Sequence, residues 1–278
     1  MKKIYPQDIQ KLKLAGQKFA TITAYDYTSS KIVKDVGFPL VLVGDSASMV
    51  VYGYDDTTPI TMGEMMFVLK SVVRGNNSAL IIADMPFMSY QPSPEEAIKN
   101  AGAFIKNGAT AVKLEGGKSQ CNKIKALVDS GIPVVGHVGL LPQSINLTSG
   151  YKVQGKGELE AIEIINDALE VEKAGAFAIV LEGIPSNLAK IISQKIKIPT
   201  IGIGSGPHCD GQIQVFHDLL GLDKTFNPKH SKKYIKSYEL FFKALNKYKN
   251  DVEKINFPGQ EQYVSLSSDI EKKITENN

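Results

Sequence analysis

Cysteine is scarce in this 278-residue chain, which contains two, Cys121 and Cys209. Neither lies near a second cysteine at the spacing of a metal-binding or redox pair, so neither a disulfide framework nor a cysteine-based metal site is indicated. Two isolated thiols are typical of a protein that works in a reducing compartment. We therefore expect a cytoplasmic protein.

Long apolar runs and an excess of one charge are also missing. Residues 1–17 lack the apolar core of roughly 7–15 residues that a secretory signal needs, and no segment approaches the roughly 20 apolar residues of a membrane span. The 32 Lys and Arg residues are scattered among 29 Asp and Glu, for a formal net charge of +3. We expect neither export nor a membrane partner, and the scattered charge argues against nucleic acid as a partner.

The chain does contain a regular alternation of short apolar, β-branched runs with segments whose apolar residues recur every three to four positions. This alternation predicts a parallel sheet covered by helices, and the length suits a (β/α)8 TIM barrel, which needs roughly 250 residues. The predicted strands are Phe19–Ala24, Leu40–Gly44, Leu80–Ala83, Ala111–Leu114, Pro133–His137, Phe177–Leu181, Thr200–Ile203 and Ile213–Phe216.

The segments between these strands predict the outer helices. Ser93 followed by Pro94 gives a cap and a proline at the first helical position, and Gly37 and Gly175 each end a helical pattern. The predicted helices are Thr28–Val36, Thr61–Arg74, Pro94–Asn107, Lys118–Asp129, Glu158–Lys173 and Pro185–Ser193.

No change in composition suggests a second domain, so we predict a single barrel domain over residues 1–278. The Lys- and Tyr-rich sequence after Pro228 predicts an amphipathic C-terminal helix over about 229–249. The polar end, about 267–278, predicts a frayed tail. Neither segment is expected to carry chemistry.

The residues that follow the predicted strands are unusually acidic. In a barrel of this type the carboxyl ends of all strands converge on one mouth, and active sites lie there. A single acid after a strand is as readily a helix cap, but several in register would repel one another unless a cation lies among them. An all-oxygen set suits a hard divalent cation such as Mg2+. The acids expected at the mouth are Asp45, Asp84, Glu115 and Glu182.

Two nitrogen-bearing side chains are predicted at the same mouth. Lys113 lies two positions before Glu115, so both should point into the barrel if the strand is extended. An inward lysine requires an anion, whereas the alternative is a lysine that reaches out to the rim. His137 either contacts substrate or is satisfied by backbone hydrogen bonds. The histidines without such neighbours, interpreted as structural, are His208, His217 and His230.

Several motifs that cover most of the chain occur together in one known family. They are TAYDYTSSKI, VLVGDSASMVVYGYDDT, ADMPF, AVKLEGG, GIPVVGHVGLLPQS, SGYKVQGKG, FAIVLEGIP, TIGIGSGPHCDGQIQVFHDLLGL and NFPG. Together they resemble ketopantoate hydroxymethyltransferase, a member of the phosphoenolpyruvate/pyruvate-type barrel superfamily. Two positions depart from the family's usual residues and lie beside the expected mouth: Leu141 replaces a frequent threonine, and Ser149 a frequent glycine.

The resemblance implies a reaction. A hydroxymethyl group would pass from 5,10-methylenetetrahydrofolate, the co-substrate, to 3-methyl-2-oxobutanoate, giving 2-dehydropantoate and tetrahydrofolate in pantothenate biosynthesis. A bound Mg2+, one per subunit, would stabilise the enolate. Family members are usually homodecamers, so we expect the same assembly here.

The resemblance also implies roles for the residues at the mouth. Glu182 would be the catalytic base. The ligands of Mg2+, directly or through water, would be Asp45, Asp84 and Glu115. The residues that bind the substrate would be Asp45, Ser46, Asp84, Lys113 and His137.

Two other interpretations of the acidic mouth stay open. A Mg2+-dependent lyase or mutase of the same barrel type could act on phosphoenolpyruvate-like or 2-oxo acids, but such enzymes usually carry a catalytic cysteine in a KKCG-type motif, and neither cysteine lies in one. A catalytically silent barrel could bind a metabolite or serve as an assembly subunit. Retention of the whole acidic set with Lys113 argues against a silent barrel, because repelling charges would be lost readily without a function.

Overall fold

The computed structural model describes residues 3–148, 150–225 and 228–276, and its eight parallel strands form a closed barrel. Each strand pairs with the next along the chain, and the last pairs with the first through a register that runs from Phe19↔Gly211 to Ile22↔Gln214. The predicted (β/α)8 barrel is confirmed. The strands are β1 Phe19–Thr23, β2 Leu40–Val43, β3 Leu80–Asp84, β4 Ala111–Lys113, β5 Val134–Gly139, β6 Ala178–Glu182, β7 Thr200–Ile203 and β8 Gly211–Gln214.

Helices follow the strands and form the outer layer. The α-helices are α1 Pro6–Leu14, α2 Tyr27–Val36, α3 Ala47–Val50, α4 Met62–Gly75, α5 Pro94–Lys106, α6 Cys121–Asp129, α7 Ile145–Thr148, α8 Glu158–Lys173, α9 Ser186–Lys195, α10 Phe216–Leu220, α11 Ser237–Glu253 and α12 Ser268–Glu276. Within the described ranges, no helix has the length and apolar character needed to cross a membrane.

Local capping explains where the main helices begin and end. Thr61 accepts a hydrogen bond from the Glu64 N–H while the Glu64 carboxylate accepts from the Thr61 N–H, which satisfies two N–H groups at the start of α4. Ser93 caps α5 ahead of Pro94, as predicted. Gly37 ends α2 with φ of 89°, a left-handed conformation that glycine adopts without steric cost.

Two apolar layers hold the barrel together. Alternate strand residues point inward, so Leu40, Leu42 and Leu80 fill the barrel interior. The intervening residues, such as Val41 and Ile81, point outward and pack beneath the helices. Because both faces of β2, β3 and β7 are buried, these strands read in the sequence as short continuous apolar runs.

The eighth strand lies two residues earlier than predicted. The apolar run suggested Ile213–Phe216, but the strand is Gly211–Gln214 and Phe216 begins α10. Gly211 lies against the Phe19 ring of β1, where an added Cβ would come within 2.4 Å of Cε2. The strand start is thus set by this close packing, and Gly and Gln carry little strand signal in a sequence.

The C-terminal elements also differ from the sequence prediction. The helix expected over about 229–249 begins at Ser237 and ends at Glu253. The polar end that predicted a frayed tail contains the helix Ser268–Glu276. The prediction of a frayed end is therefore wrong over Ser268–Glu276, although every described residue from 263 to 276 is exposed.

Candidate active site

The two-residue period of the strands places the polar side chains at the mouth. On β3, Leu80 and Ile82 fill the barrel interior, and Asp84 is the next inward residue at the carboxyl end. The core therefore ends and the polar site begins along one continuous row. The residues at the equivalent position on β4, β5 and β6 are Lys113, His137 and Glu182.

Asp45 and Ser46 reach the same mouth from the turn after β2. The Asp45 N–H donates to Asp84 Oδ2 at 3.3 Å. The Ser46 hydroxyl lies 2.8 Å from the Tyr25 hydroxyl, which comes from the end of β1. Glycine at position 44 leaves room for the Ser46 side chain, because a Cβ there would lie 2.8 Å from Ser46 Oγ and would displace it. The turn after Val43 thus places two adjacent polar residues, Asp45 and Ser46, at the mouth of the barrel.

Lys113 points inward and pairs with two carboxylates. Its Nζ lies 2.8 Å from Asp84 Oδ1 and 3.6 Å from Glu115 Oε1, and all three side chains are at most 5% exposed. The alternative of a lysine that reaches the rim is wrong. Among the residues described, Lys113 is the permanent cation that pairs with the acids of the mouth.

Burial and like charges perturb this cluster strongly. Burial raises the pKa of the Asp45 carboxyl well above its usual range, and the Asp84 and Glu115 charges raise it further. Burial also raises the pKa of Asp84, although Lys113 opposes this. Burial alone would lower the pKa of Lys113, but the surrounding carboxylates raise it on balance. The pKa of Glu115 is lowered because Lys113 and His137 together outweigh its burial.

His137 connects the cluster to Glu182. Its Nε2 lies 3.3 Å from Glu182 Oε2, and its Nδ1 lies 3.3 Å from Lys113 Nζ and 3.5 Å from Glu115 Oε1. Burial and Lys113 lower the pKa of the imidazole, but hydrogen bonds to Glu115 and Glu182 raise it on balance. The ring therefore contacts the side chains of the site from both nitrogens, and Nε2 is the nitrogen on the Glu182 side.

Glu182 is the most accessible acid of this group. Its side chain is 17% exposed, compared with 2% for Asp84 and 3% for Glu115. It contacts His137, while Lys113 pairs with the other two. Glu182 can therefore reach a bound molecule without first leaving an ion pair with lysine.

The donors of the mouth suit a hard divalent cation in chemical type. Asp45, Asp84 and Glu115 offer carboxylate oxygens, the ligands that Mg2+ prefers, and a cation would relieve the repulsion among them. In the side-chain positions of residues 3–148, 150–225 and 228–276, no three His, Cys, Asp or Glu groups converge as a ready ligand set. Lys113 pairs with Asp84 and Glu115, and the Gln143 amide holds Asp45.

The structure also places residues at the site that the sequence analysis did not select. Gln143 is buried and contacts Asp45, and Tyr90 is buried and hydrogen-bonds to both Gln143 and Glu115. Gln143 follows the carboxyl end of β5, within the motif GIPVVGHVGLLPQS. This position alone could have predicted that Gln143 lies at the mouth of the barrel. Tyr90 lies in the long loop after β3, where spacing gives no indication of its contacts.

The remaining selected residues lie outside this cluster. His217 packs its ring against Tyr25 at a centroid distance of 5.3 Å. Leu141 is half-buried and directly precedes the short helical turn Pro142–Ser144. Ser149, the second departure from the family pattern, lies outside the described residues.

Fold and site together define the class of this protein: a TIM-barrel enzyme whose active site is lined by carboxylates at the carboxyl ends of the strands. The sequence profile of the family described as ketopantoate hydroxymethyltransferase matches residues 3–260. The chain therefore belongs to the ketopantoate hydroxymethyltransferase family.

Individual relatives agree with this assignment. The chain is 52% identical over 263 residues to the 3-methyl-2-oxobutanoate hydroxymethyltransferase of Dehalococcoides mccartyi, and the matched region covers 94% of each chain. It is 48% identical over 270 residues to the enzyme of the same name from Nitrosopumilus maritimus, and the matched region covers 97% of each chain. A solved structure of phosphonopyruvate hydrolase with oxalate and Mg2+ has a TM-score of 0.62 at 13% identity, over 100% of this chain and 96% of that one. That likeness is one of fold alone.

Proposed function

We propose that the chain transfers a hydroxymethyl group from 5,10-methylenetetrahydrofolate to 3-methyl-2-oxobutanoate, with uptake of water, to give 2-dehydropantoate and tetrahydrofolate. Hydroxymethyl transfer is the activity that its family and near relatives are named for, and the reaction would belong to pantothenate biosynthesis. The observation that carries the proposal is the buried acidic cluster around Lys113 at the barrel mouth. The remaining parts of the proposal concern the roles of the residues.

The chemical task is removal of a proton from the carbon next to a ketone. Glu182 takes this proton from C3 of the oxo acid, and the electron pair of the broken C–H bond moves into the enolate. His137 lies beside the base, with Nε2 3.3 Å from Glu182 Oε2, and limits the positions that the carboxylate can take. Glu182 suits this role because it is the accessible acid of the mouth and contacts imidazole rather than lysine.

The substrate is an anion, and Lys113 supplies the matching charge. Its ammonium is held inside the barrel by Asp84 and Glu115 and stays protonated because the carboxylates raise its pKa. Ser46, fixed by the Tyr25 hydroxyl, contributes a hydrogen bond to the oxo acid. These contacts hold the substrate with C3 facing Glu182. The substrate is therefore already in the orientation that proton transfer needs.

A divalent ion completes this proposal. Asp45, Asp84 and Glu115 would hold Mg2+, directly or through water, one per subunit. When bound, it supplies Lewis-acid stabilisation of the negative charge that develops on the keto oxygen. The oxalate and Mg2+ bound by phosphonopyruvate hydrolase support this choice by analogy of fold.

Formation of 2-dehydropantoate tests the proposal. Purified protein is incubated with 3-methyl-2-oxobutanoate, methylenetetrahydrofolate and Mg2+, and products are separated by mass. We expect 2-dehydropantoate only when all three are present. If the protein instead cleaves phosphonopyruvate or 2,3-dimethylmalate in the same buffer, the chain acts as a lyase or hydrolase of the barrel superfamily and the proposal fails.

We further propose a homodecamer in the cytoplasm. From Tyr238 to Asn250 every residue of α11 is exposed, and one face of this helix carries large apolar side chains that a second copy of the chain would bury. Both cysteines are free thiols, which agrees with a reducing compartment. The apolar side chains at positions spaced by four, three and four residues on this face are Phe241, Leu245, Tyr248 and Val252.

A further inference from the structure

Gln143 lies at the centre of the hydrogen bonds that surround the acidic mouth. It is 4% exposed and belongs to the short turn Pro142–Ser144 after β5. Its side-chain Nε2 donates to Asp45 Oδ2 at 2.8 Å, and its backbone N–H donates to Glu115 Oε2 at 3.0 Å. One neutral residue therefore contacts two carboxylates that follow different strands, Asp45 after β2 and Glu115 after β4.

The surroundings of Gln143 allow its amide only one orientation. The two hydrogens of Nε2 face acceptors, Asp45 Oδ2 and the Met85 carbonyl at 2.9 Å. The oxygen Oε1 faces donors, the Tyr90 hydroxyl at 2.8 Å and Gln91 Nε2 at 3.1 Å. A flipped amide would set its oxygen against a carboxylate and a carbonyl, and its nitrogen against the Gln91 amide nitrogen, so it would keep at most the contact with the Tyr90 hydroxyl.

Tyr90 extends this network back to Glu115. Its hydroxyl accepts from the Glu115 N–H at 3.1 Å and lies 3.0 Å from the Glu115 carbonyl. The hydroxyl has one proton, which goes to Gln143 Oε1 or to this carbonyl. Tyr90 is 1% exposed, so water does not compete for these contacts.

We propose that Gln143 is a positioning residue that, with Tyr90 behind it, fixes the Asp45 and Glu115 carboxylates in the orientation in which they receive the divalent ion. An amide suits this role because it orients a carboxylate and leaves its negative charge in place. A lysine would neutralise that charge. Gln143 engages Asp45 through Oδ2 and Glu115 through Oε2, while Glu115 Oε1 faces Lys113 and His137. The inference rests on the proposed metal-dependent function.

The test compares Mn2+ binding, followed by electron paramagnetic resonance, in the full chain and in three variants. Gln143→Met keeps the volume of the side chain and removes its hydrogen bonds. Tyr90→Phe removes only the hydroxyl. Asn76→Leu is the matched control, because Asn76 is a buried amide that holds the Ser78 and Ala79 N–H groups at the opposite end of β3.

We expect Gln143→Met to weaken Mn2+ binding roughly 10-fold or more, the usual cost of losing a group that orients a metal ligand. It should raise KM for 3-methyl-2-oxobutanoate more than it lowers kcat. Tyr90→Phe should give a smaller loss in the same direction, because Gln91 still donates to Gln143 Oε1. Asn76→Leu should lower the melting temperature and leave Mn2+ affinity unchanged.

The possible results separate this inference from the function on which it rests. If the parent protein does not bind Mn2+, the metal-dependent function itself is wrong. If the parent binds Mn2+ and Gln143→Met binds it equally well, the function stands and the positioning role of Gln143 is overturned. If Gln143→Met does not fold, Tyr90→Phe decides, since unchanged Mn2+ affinity in that variant also overturns the proposal.

Discussion

Lys113 and Glu182 show how two residues of one mouth receive different roles from their surroundings. Lys113 is buried between carboxylates and keeps its charge because they raise its pKa. Glu182 lies at the open side, paired with His137. A fixed cation beneath and an accessible carboxylate above are what proton removal from an anionic oxo acid requires.

Replacement of Glu182 by Gln should abolish proton removal and preserve binding. The amide keeps the size of the side chain but cannot accept a proton, so we expect the rate of C3 proton removal to fall by roughly 10²–10⁴-fold. The rate is read from loss of tritium from 3-methyl-2-[3-³H]oxobutanoate, with substrate binding measured by calorimetry. Glu163→Gln, an exposed acid of α8, serves as control. Undiminished tritium release in Glu182→Gln would remove Glu182 from the mechanism.

Replacement of Lys113 by Met should harm stability and substrate binding together. The change leaves Asp84 and Glu115 buried without their cation, and removal of one partner of a buried pair costs about 3 kcal/mol or more. Urea denaturation measures this loss, and KM for the oxo acid should rise at the same time. A variant with the stability and the KM of the parent would show that Lys113 neither balances the acids nor binds substrate.

The raised pKa of Asp218, which lies in α10, predicts that the stability of the fold depends on pH. Burial raises its pKa from 3.8 to about 6. Because the folded state favours the protonated form, the parent loses stability as pH rises from about 4 to about 6, and the loss persists above that range. Asp218→Asn should therefore be more stable than the parent above pH 6, by on the order of 2 kcal/mol. Denaturation curves at acidic and neutral pH that differ from the parent by the same amount would contradict this.

At the scale of single elements, the end of β5 determines where Glu182 lies. Gly139 pairs with Glu182 across β5 and β6, and its φ is 97°. A Cβ on Gly139 would lie 2.3 Å from the Glu182 carbonyl oxygen, a backbone atom that cannot move aside alone. The strand end therefore requires glycine for two reasons, its conformation and its close approach.

Gly139→Ala should destabilise the fold by about 2 kcal/mol or more and lower kcat, since relief of the clash displaces Glu182. Gly37→Ala is the matched control. Gly37 also has positive φ, 89°, but no atom lies within 4 Å of its added Cβ. We expect a loss of only about 1 kcal/mol there, with kcat unchanged. Equal effects of the two variants on kcat would show that the strand end does not position Glu182.

Individual elements also show how far the sequence predicts the site. Asp84 and Glu182 were placed at the mouth by their position at predicted strand ends, and Lys113 by its two-residue spacing from Glu115; these assignments are correct because strand geometry is local. Spacing did not reveal Gln143 and Tyr90, since their contacts join the loops after β3 and β5 across the mouth. The start of β8 depends on close packing of Gly211 against Phe19, which no local pattern encodes.

At the scale of the whole molecule, the barrel strands and α11 differ in burial. The strands contribute their apolar residues to two buried layers, whereas α11 exposes Phe241 and Leu245 by 57% and 67%. Contiguous exposed apolar faces commonly mark interaction surfaces in stable proteins. Burial of this face by other copies of the chain agrees with the proposed assembly.

Leu245→Lys should disrupt the proposed homodecamer, because it places a charge in the centre of the apolar face of α11. Light scattering coupled to gel filtration should show a large oligomer for the parent and smaller species for the variant. Asn246→Lys, which adds the same charge at the next position of α11, should leave the assembly intact. A parent that elutes as a monomer, or a Leu245→Lys oligomer of unchanged mass, would contradict the assembly.

The central claim is that this acidic mouth removes the C3 proton of 3-methyl-2-oxobutanoate with a divalent ion. The most direct test is proton NMR of that substrate in deuterated water with the parent protein, with and without Mg2+ and before any folate is added. The account predicts loss of the C3 proton signal that requires both protein and Mg2+. Persistence of that signal with both present would contradict it.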